Sequence, residues 1–253
     1  MKFPTCLTTL MALLWALAAS AGEPFDHTHR QFSSILGRSV TNGLVNYRGL
    51  QLNPQSLDGY VSSLARVTRP EFNRWDEPQR MTFLLNLYNA ATLRLVREHY
   101  PVVSIRKIGS VFTSPWSLDV VELFGKRISL DHLEHEMLRK DFHEPRIHFA
   151  LVCAARSCPA LRAEAYMAER LEEQLKDQGI RFLARSDQNR VDAATDTLWL
   201  SEIFKWYEAD FLKESKSLQE FVTPFLPPDA AQVARGKRLK VRFSGYDWSI
   251  NSY

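Results

Sequence analysis

Pro78 to His99 reads PQRMTFLLNLYNAATLRLVREH. Met81, Leu84, Leu85, Tyr88, Thr92, Leu95 and Val96 recur at spacings of three and four, which predicts one long helix with an apolar stripe. Pro78 suits a first turn, where a backbone N–H has no partner in any case, and Pro101 closes the segment. Asn86 and Asn89 are three apart and therefore neighbours on the helix surface. Asn89 also follows Leu85 by four residues, which sets an amide beside the stripe that the helix should bury. A buried amide needs partners or costs roughly 1–3 kcal/mol. Two readings stay open for Asn86, Tyr88 and Asn89: structural hydrogen-bonders, or polar groups facing a substrate.

Outward from this helix the pattern changes repeatedly. Helical spacing predicts further helices at 25–37, 56–67, 130–140 and 167–184, the last weakened by Gly179. Ser201 is placed to cap another, carrying Ile203, Phe204, Tyr207 and Phe211. Hairpins are predicted around Gly125-Lys126 and between Val191 and Leu200. RIHFALVC (146–153) and residues 239–244 read as strands. Helices with scattered hairpins, lacking regular βαβ alternation, give an α+β class with helices packed on short antiparallel strands.

The first 21 residues read as a removable export signal. Lys2 precedes the apolar run Leu7 to Ala18, and Ala19-Ser20-Ala21 is a small-x-small cleavage site. The run is short of the ~20 residues that span a bilayer. Cys6 lies before the run, where a lipoprotein would have it at the cleavage point. No later stretch is apolar enough to span. The mature chain, 22–253, is therefore expected as a single domain, periplasmic or secreted, with no stable membrane span. Cleavage removes one lysine and no acid, so the formal charge falls from +3 to +2. That near balance, without a basic run, argues against nucleic acid as a partner and leaves a small molecule or peptide.

Two cysteines remain, Cys153 and Cys158. In an oxidising compartment they can pair. If Pro159 starts a helical turn, Cys158 sits at its N-cap, where backbone N–H groups lower a thiol pKa. Cys153 ends the apolar segment, a common place for a catalytic group. In an unbroken strand His148, five residues earlier, points to the opposite face from Cys153. His135, beside Glu134 on another element, is then the better base. His132, His135, His148 and the cysteines lack paired CxxC or HExxH spacing, so no metal and no cofactor are expected. Ser157, Asp247 and Trp248 complete the polar set.

The chain resembles the family called domain of unknown function 547. The resemblance rests on NLYNAAT (86–92), ISLDHLEHEMLR (128–139), RIHFALVCAARSCPAL (146–161), LEEQL (171–175), LSEIFKWYEADF (200–211) and YDWSIN (246–251). It covers roughly residues 40–253. It implies an often exported protein that carries this histidine–cysteine segment, and a loose relation to papain-like thiol hydrolases. Papain-like folds place the cysteine before the histidine, whereas Glu134 and His135 here precede both cysteines.

The expectation is a thiol-dependent hydrolase or transferase. Cys153 or Cys158 is the nucleophile, His135 the base, Glu134 or Asn89 its orienter, and His148 a further candidate. The alternatives are a binding module stapled by Cys153–Cys158, or a redox protein in which the pair cycles.

Overall fold

A computed structural model describes residues 24–110 and 112–253. The expected export signal lies outside the described residues. Among those residues, no helix is long and apolar enough to cross a membrane.

The predicted long helix is the centre of the molecule, running Glu77–His99. Its start is fixed by a reciprocal cap: Asp76 accepts from the Gln79 N–H, and the Gln79 side chain accepts from the Asp76 N–H. Every residue from Met81 to Leu93 is buried. A helix covered on all sides is a core element, not a surface one. The helices Arg30–Ser39, Tyr47–Leu52 and Gln55–Ala65 contribute to its cover, as does the hairpin Val121–Leu123 with Lys126–Ile128. Phe124 and Gly125 both take positive φ in that turn, as a two-residue hairpin connection requires.

A second apolar cluster gathers Phe149, Phe182, Phe204 and Phe211 against a three-stranded sheet. Arg190–Asp192 pairs antiparallel with Thr197–Leu200, which pairs in parallel with Lys240–Phe243. The class is α+β, and among the strands of the described residues this pair is parallel while the others are antiparallel. Gly179 does not end its helix, which runs Leu171–Leu183. A Cβ there would lie 2.8 Å from the Phe225 ring and 3.3 Å from Phe149, so the missing side chain lets both rings close on the helix.

Three expected elements come out differently, and each difference shapes the site. RIHFALVC is not a strand. It forms one helical turn, Ile147–Ala150, followed by extended chain without a strand partner. Asn89 takes the place of a neighbouring strand: its amide donates to Ala150 O (3.0 Å) and accepts from Val152 N–H (3.0 Å). The turn straddles the two cores, with Ile147 and Ala150 in the first and Phe149 in the second. The helix after Ser129 is interrupted by a π-helical stretch, Leu133–Leu138, whose wider winding buries Glu134. The helix after Ser201 breaks in two, Ile203–Trp206 and Glu208–Phe211, with Tyr207 at the joint (φ −115°, ψ 24°). No helix follows Pro159, so Cys158 caps none.

Candidate functional site

A cavity of about 220 Å³ lies where these irregular segments meet. Its wall includes His148, Glu134, both cysteines and a set of aromatic rings. Irregular backbone is what brings them together. The helical turn at 147–150 cancels the strand alternation that separated His148 from Cys153, and both now line one space.

His148 is 3% exposed. Its Nε2 lies 2.8 Å from Asp210 Oδ2, and its ring stacks on Tyr207 with centroids 3.8 Å apart. The break at Tyr207 permits both contacts. Asp210, 6% exposed, also accepts from Arg139 Nε (2.6 Å) and pairs with Lys213 (3.1 Å). Burial opposes a charged Asp210, but the bonds from His148, Arg139 and Lys213 outweigh it and hold the carboxyl well below its usual range. Burial lowers the pKa of His148, against the pull of Asp210 and Glu134. A neutral imidazole whose Nε2–H donates to Asp210 leaves Nδ1 as the free acceptor. Nδ1 lies 4.0 Å from Glu134 Oε1.

Cys153 and Cys158 are joined as a disulfide. Cys158 is 2% exposed, whereas Cys153 is half-buried. The Tyr246 hydroxyl sits 3.3 Å from each sulfur, and Cys158 Sγ accepts from Cys153 N–H at 3.0 Å. The C-terminal tail holds this arrangement. Arg156 N–H donates to Ser249 O (2.9 Å), Asp247 N–H to Ser157 Oγ (2.8 Å) and Asn251 N–H to Ala154 O (3.0 Å). Pairing the tail with loop 154–158 carries Tyr246 and Trp248 onto the cavity.

The sequence-predicted residues therefore divide. Glu134, His148, Cys153, Cys158, Tyr88 and Trp248 line the cavity. Asn86 and Asn89 do not. Asn86 clamps Tyr166, its amide donating to Tyr166 O (2.8 Å) and its carbonyl accepting from Tyr166 N–H (3.0 Å), and Asn89 holds the chain just before Cys153. Ser157 and Asp247 join loop to tail and line a neighbouring cavity. His135 lies outside this cavity. Its Nδ1 accepts from Arg139 (2.9 Å), its Nε2 lies 4.0 Å from Asp131, and it is not among the lining residues.

Asp210 is absent from the sequence-based candidates. Its signal is present all the same: Ile203, Tyr207 and Asp210 stand at i, i+4 and i+7, so an acid falls on the stripe that should be buried. Periodicity likewise marks Tyr207 as a packing residue alone. Among the described residues, no cluster of three or more His, Cys, Asp or Glu side chains is arranged to hold a metal ion.

The stretch 72–183 matches the model of the family described as "Protein of unknown function, DUF547", and over that stretch the chain resembles the family. The matched residues include Glu134, His148 and both cysteines and end before Asp210. No curated protein and no solved structure matches the chain.

Proposed function

We propose that the cavity is the site of a thiol-dependent hydrolase or transferase, with Cys153 as nucleophile, His148 as base and Asp210 as the group that orients the base. One observation carries the reading. His148 is bound through one nitrogen to a buried carboxylate, while the imidazole lines the cavity that both sulfurs share. That is the division of roles in acyl transfer by a nucleophile–histidine–acid set. It replaces the expected partner His135.

The disulfide form is the resting state, since a paired sulfur cannot attack. Two electrons and two protons from an external thiol reductant open the pair. His148 Nδ1 then takes the Cys153 proton, and the thiolate attacks an acyl carbon. The imidazolium returns the proton to the leaving alcohol, amine or thiol. Water or a second acceptor releases the acyl group from sulfur. The apolar leader Leu7 to Ala18 supports a periplasmic or secreted setting, where the pair would close whenever reductant is scarce.

A second reading, thiol–disulfide exchange, is favoured by the closed pair itself: a more accessible Cys153 beside a buried Cys158 is an attacking and resolving arrangement. Assay of a panel of acyl esters and thioesters with Cys153→Ser and Cys158→Ser separates the two. The hydrolase reading expects loss only in Cys153→Ser, with Cys158→Ser active without reductant. Equal loss in both variants, with disulfide reduction of a substrate protein by the parent, selects exchange.

A further inference from the structure

The cavity combines two features that the thiol chemistry does not use. The first is aromatic. Trp206 and Trp248 stack with centroids 5.6 Å apart, and Tyr246 packs against them at 4.8 and 4.6 Å. Trp116 meets Trp248 at 5.8 Å, and Tyr207 and Tyr88 continue the wall.

The second is charge. Glu134 is 6% exposed and lines the cavity, with Asp131 also on the wall. Among the described residues, no lysine or arginine lines it. Among the described residues no lysine or arginine lies within ion-pair distance of Glu134; the Arg139 charge acts on it from farther off, and His148, whose charged form burial disfavours, stands 4.0 Å away. Tyr88 and Tyr207 lie against this carboxylate, and their phenols are raised by burial and by Glu134. Two arginines lie against the wall rings, and Arg139 is also paired with Asp210. Arg106 lies 5.2 Å from the Trp248 ring centroid and Arg139 5.1 Å from that of Tyr207, and neither lines the cavity.

The Tyr88 and Tyr207 hydroxyls hydrogen-bond the Glu134 carboxylate, and a cation in the cavity would add the charge partner that they do not supply. Aromatic faces attract the same partner through their quadrupoles, and aromatic walls are a recurrent receptor for quaternary ammonium groups. The volume is below the roughly 300–1,000 Å³ of sites for drug-sized ligands, which suits a small headgroup. We propose that the cavity binds a small organic cation, a quaternary or alkylated ammonium group, between the Trp206–Trp248–Tyr246 wall and Glu134. The inference names the substrate class of the site assigned above and rests on that reading only for the chemistry after binding; binding itself needs no free thiol.

Binding is read by tryptophan fluorescence quenching and by calorimetry on the mature chain with its disulfide intact. The probes are choline, tetramethylammonium and the uncharged choline isostere 3,3-dimethylbutan-1-ol. Choline and tetramethylammonium are expected to bind saturably, with the alcohol at least tenfold weaker. Glu134→Gln is expected to lower choline affinity at least tenfold, and Trp206→Leu to lower it by a similar factor. Trp206 is partly exposed, so its replacement keeps the test decisive if Glu134→Gln does not fold. Equal binding of choline and the alcohol, unchanged affinity in Trp206→Leu, or no saturable binding of either cation overturns the proposal. None of these outcomes bears on Cys153 reactivity, which is measured in reduced protein without a cation.

Discussion

Two histidines are buried to nearly the same degree and stand in different surroundings. His29, 1% exposed, sits among Phe25, Tyr60 and the helix Arg30–Ser39. Its Nδ1 meets the Tyr60 hydroxyl at 2.7 Å, and its Nε2 is buried without a partner among the described residues. No carboxylate there bonds to it, and burial pushes its pKa down to about 4. His148, 3% exposed, has Asp210 on one nitrogen and stands at a cavity with two sulfurs. Both rings border a cavity, and what separates them is the buried acid that fixes the tautomer of His148 and the two sulfurs it faces.

The comparison breaks first on activity. His148→Gln should lower turnover of reduced protein by about 10²–10⁴-fold, the usual contribution of a general base. Asp210→Asn should fall in the same direction, because an amide can no longer fix which nitrogen carries the proton. His29→Gln should leave turnover unchanged. A large loss in His29→Gln and none in His148→Gln would reverse the assignment.

Acid separates the same two residues by stability. His29 has a folded pKa of about 4 against about 6.5 unfolded. The unfolded chain therefore binds more protons between these values. Stability from this residue is fully present above about 6.5 and is lost as pH falls toward 4, by about 3 kcal/mol. Urea unfolding across this range should show the loss in the parent and a smaller loss in His29→Gln. The depressed His148 and Asp210 carboxyl act in the same direction, Asp210 below its ordinary value near 3.8.

The central helix offers an internal version of the contrast. Asn86→Ala and Asn89→Ala should each destabilise by roughly 1–3 kcal/mol, since each leaves buried backbone groups unpaired. Only Asn89→Ala should also lower turnover, because Asn89 holds Val152 next to Cys153. Equal effects on turnover would place both amides outside the site. The smallest change is expected at His135→Gln, within about 0.5 kcal/mol in stability, as for a surface position, and with near-parental turnover.

The parts of the molecule legible in sequence are those whose signals act locally. The helix Glu77–His99 is readable because its period and its prolines all lie within it or beside it. The hairpin at Gly125 is readable for the same reason. RIHFALVC misleads, because a run of apolar residues after a proline looks alike as a strand or as a buried turn, and the side chain that decides between them, Asn89, lies 61 residues away in sequence. That ambiguity underlies the preference for His135 over His148 as the expected base. Asp210 is hidden by a helix break at Tyr207 that periodicity cannot reveal, although its place on an apolar stripe marks it as unusual. The likeness to a family of unknown function covers the cysteine segment and, ending at Leu183, leaves out Asp210.

The central claim is that His148, set by Asp210, activates Cys153. The direct measurement is the rate of Cys153 alkylation by iodoacetamide against pH in Cys158→Ser, where the thiol cannot pair, with and without His148→Gln. The account predicts a rate that rises with a midpoint below about 6.5, as His148 loses its proton, and that shifts to the ordinary thiol value of about 8.5 when His148 is replaced. Two superimposable profiles with midpoints near 8.5 would contradict it.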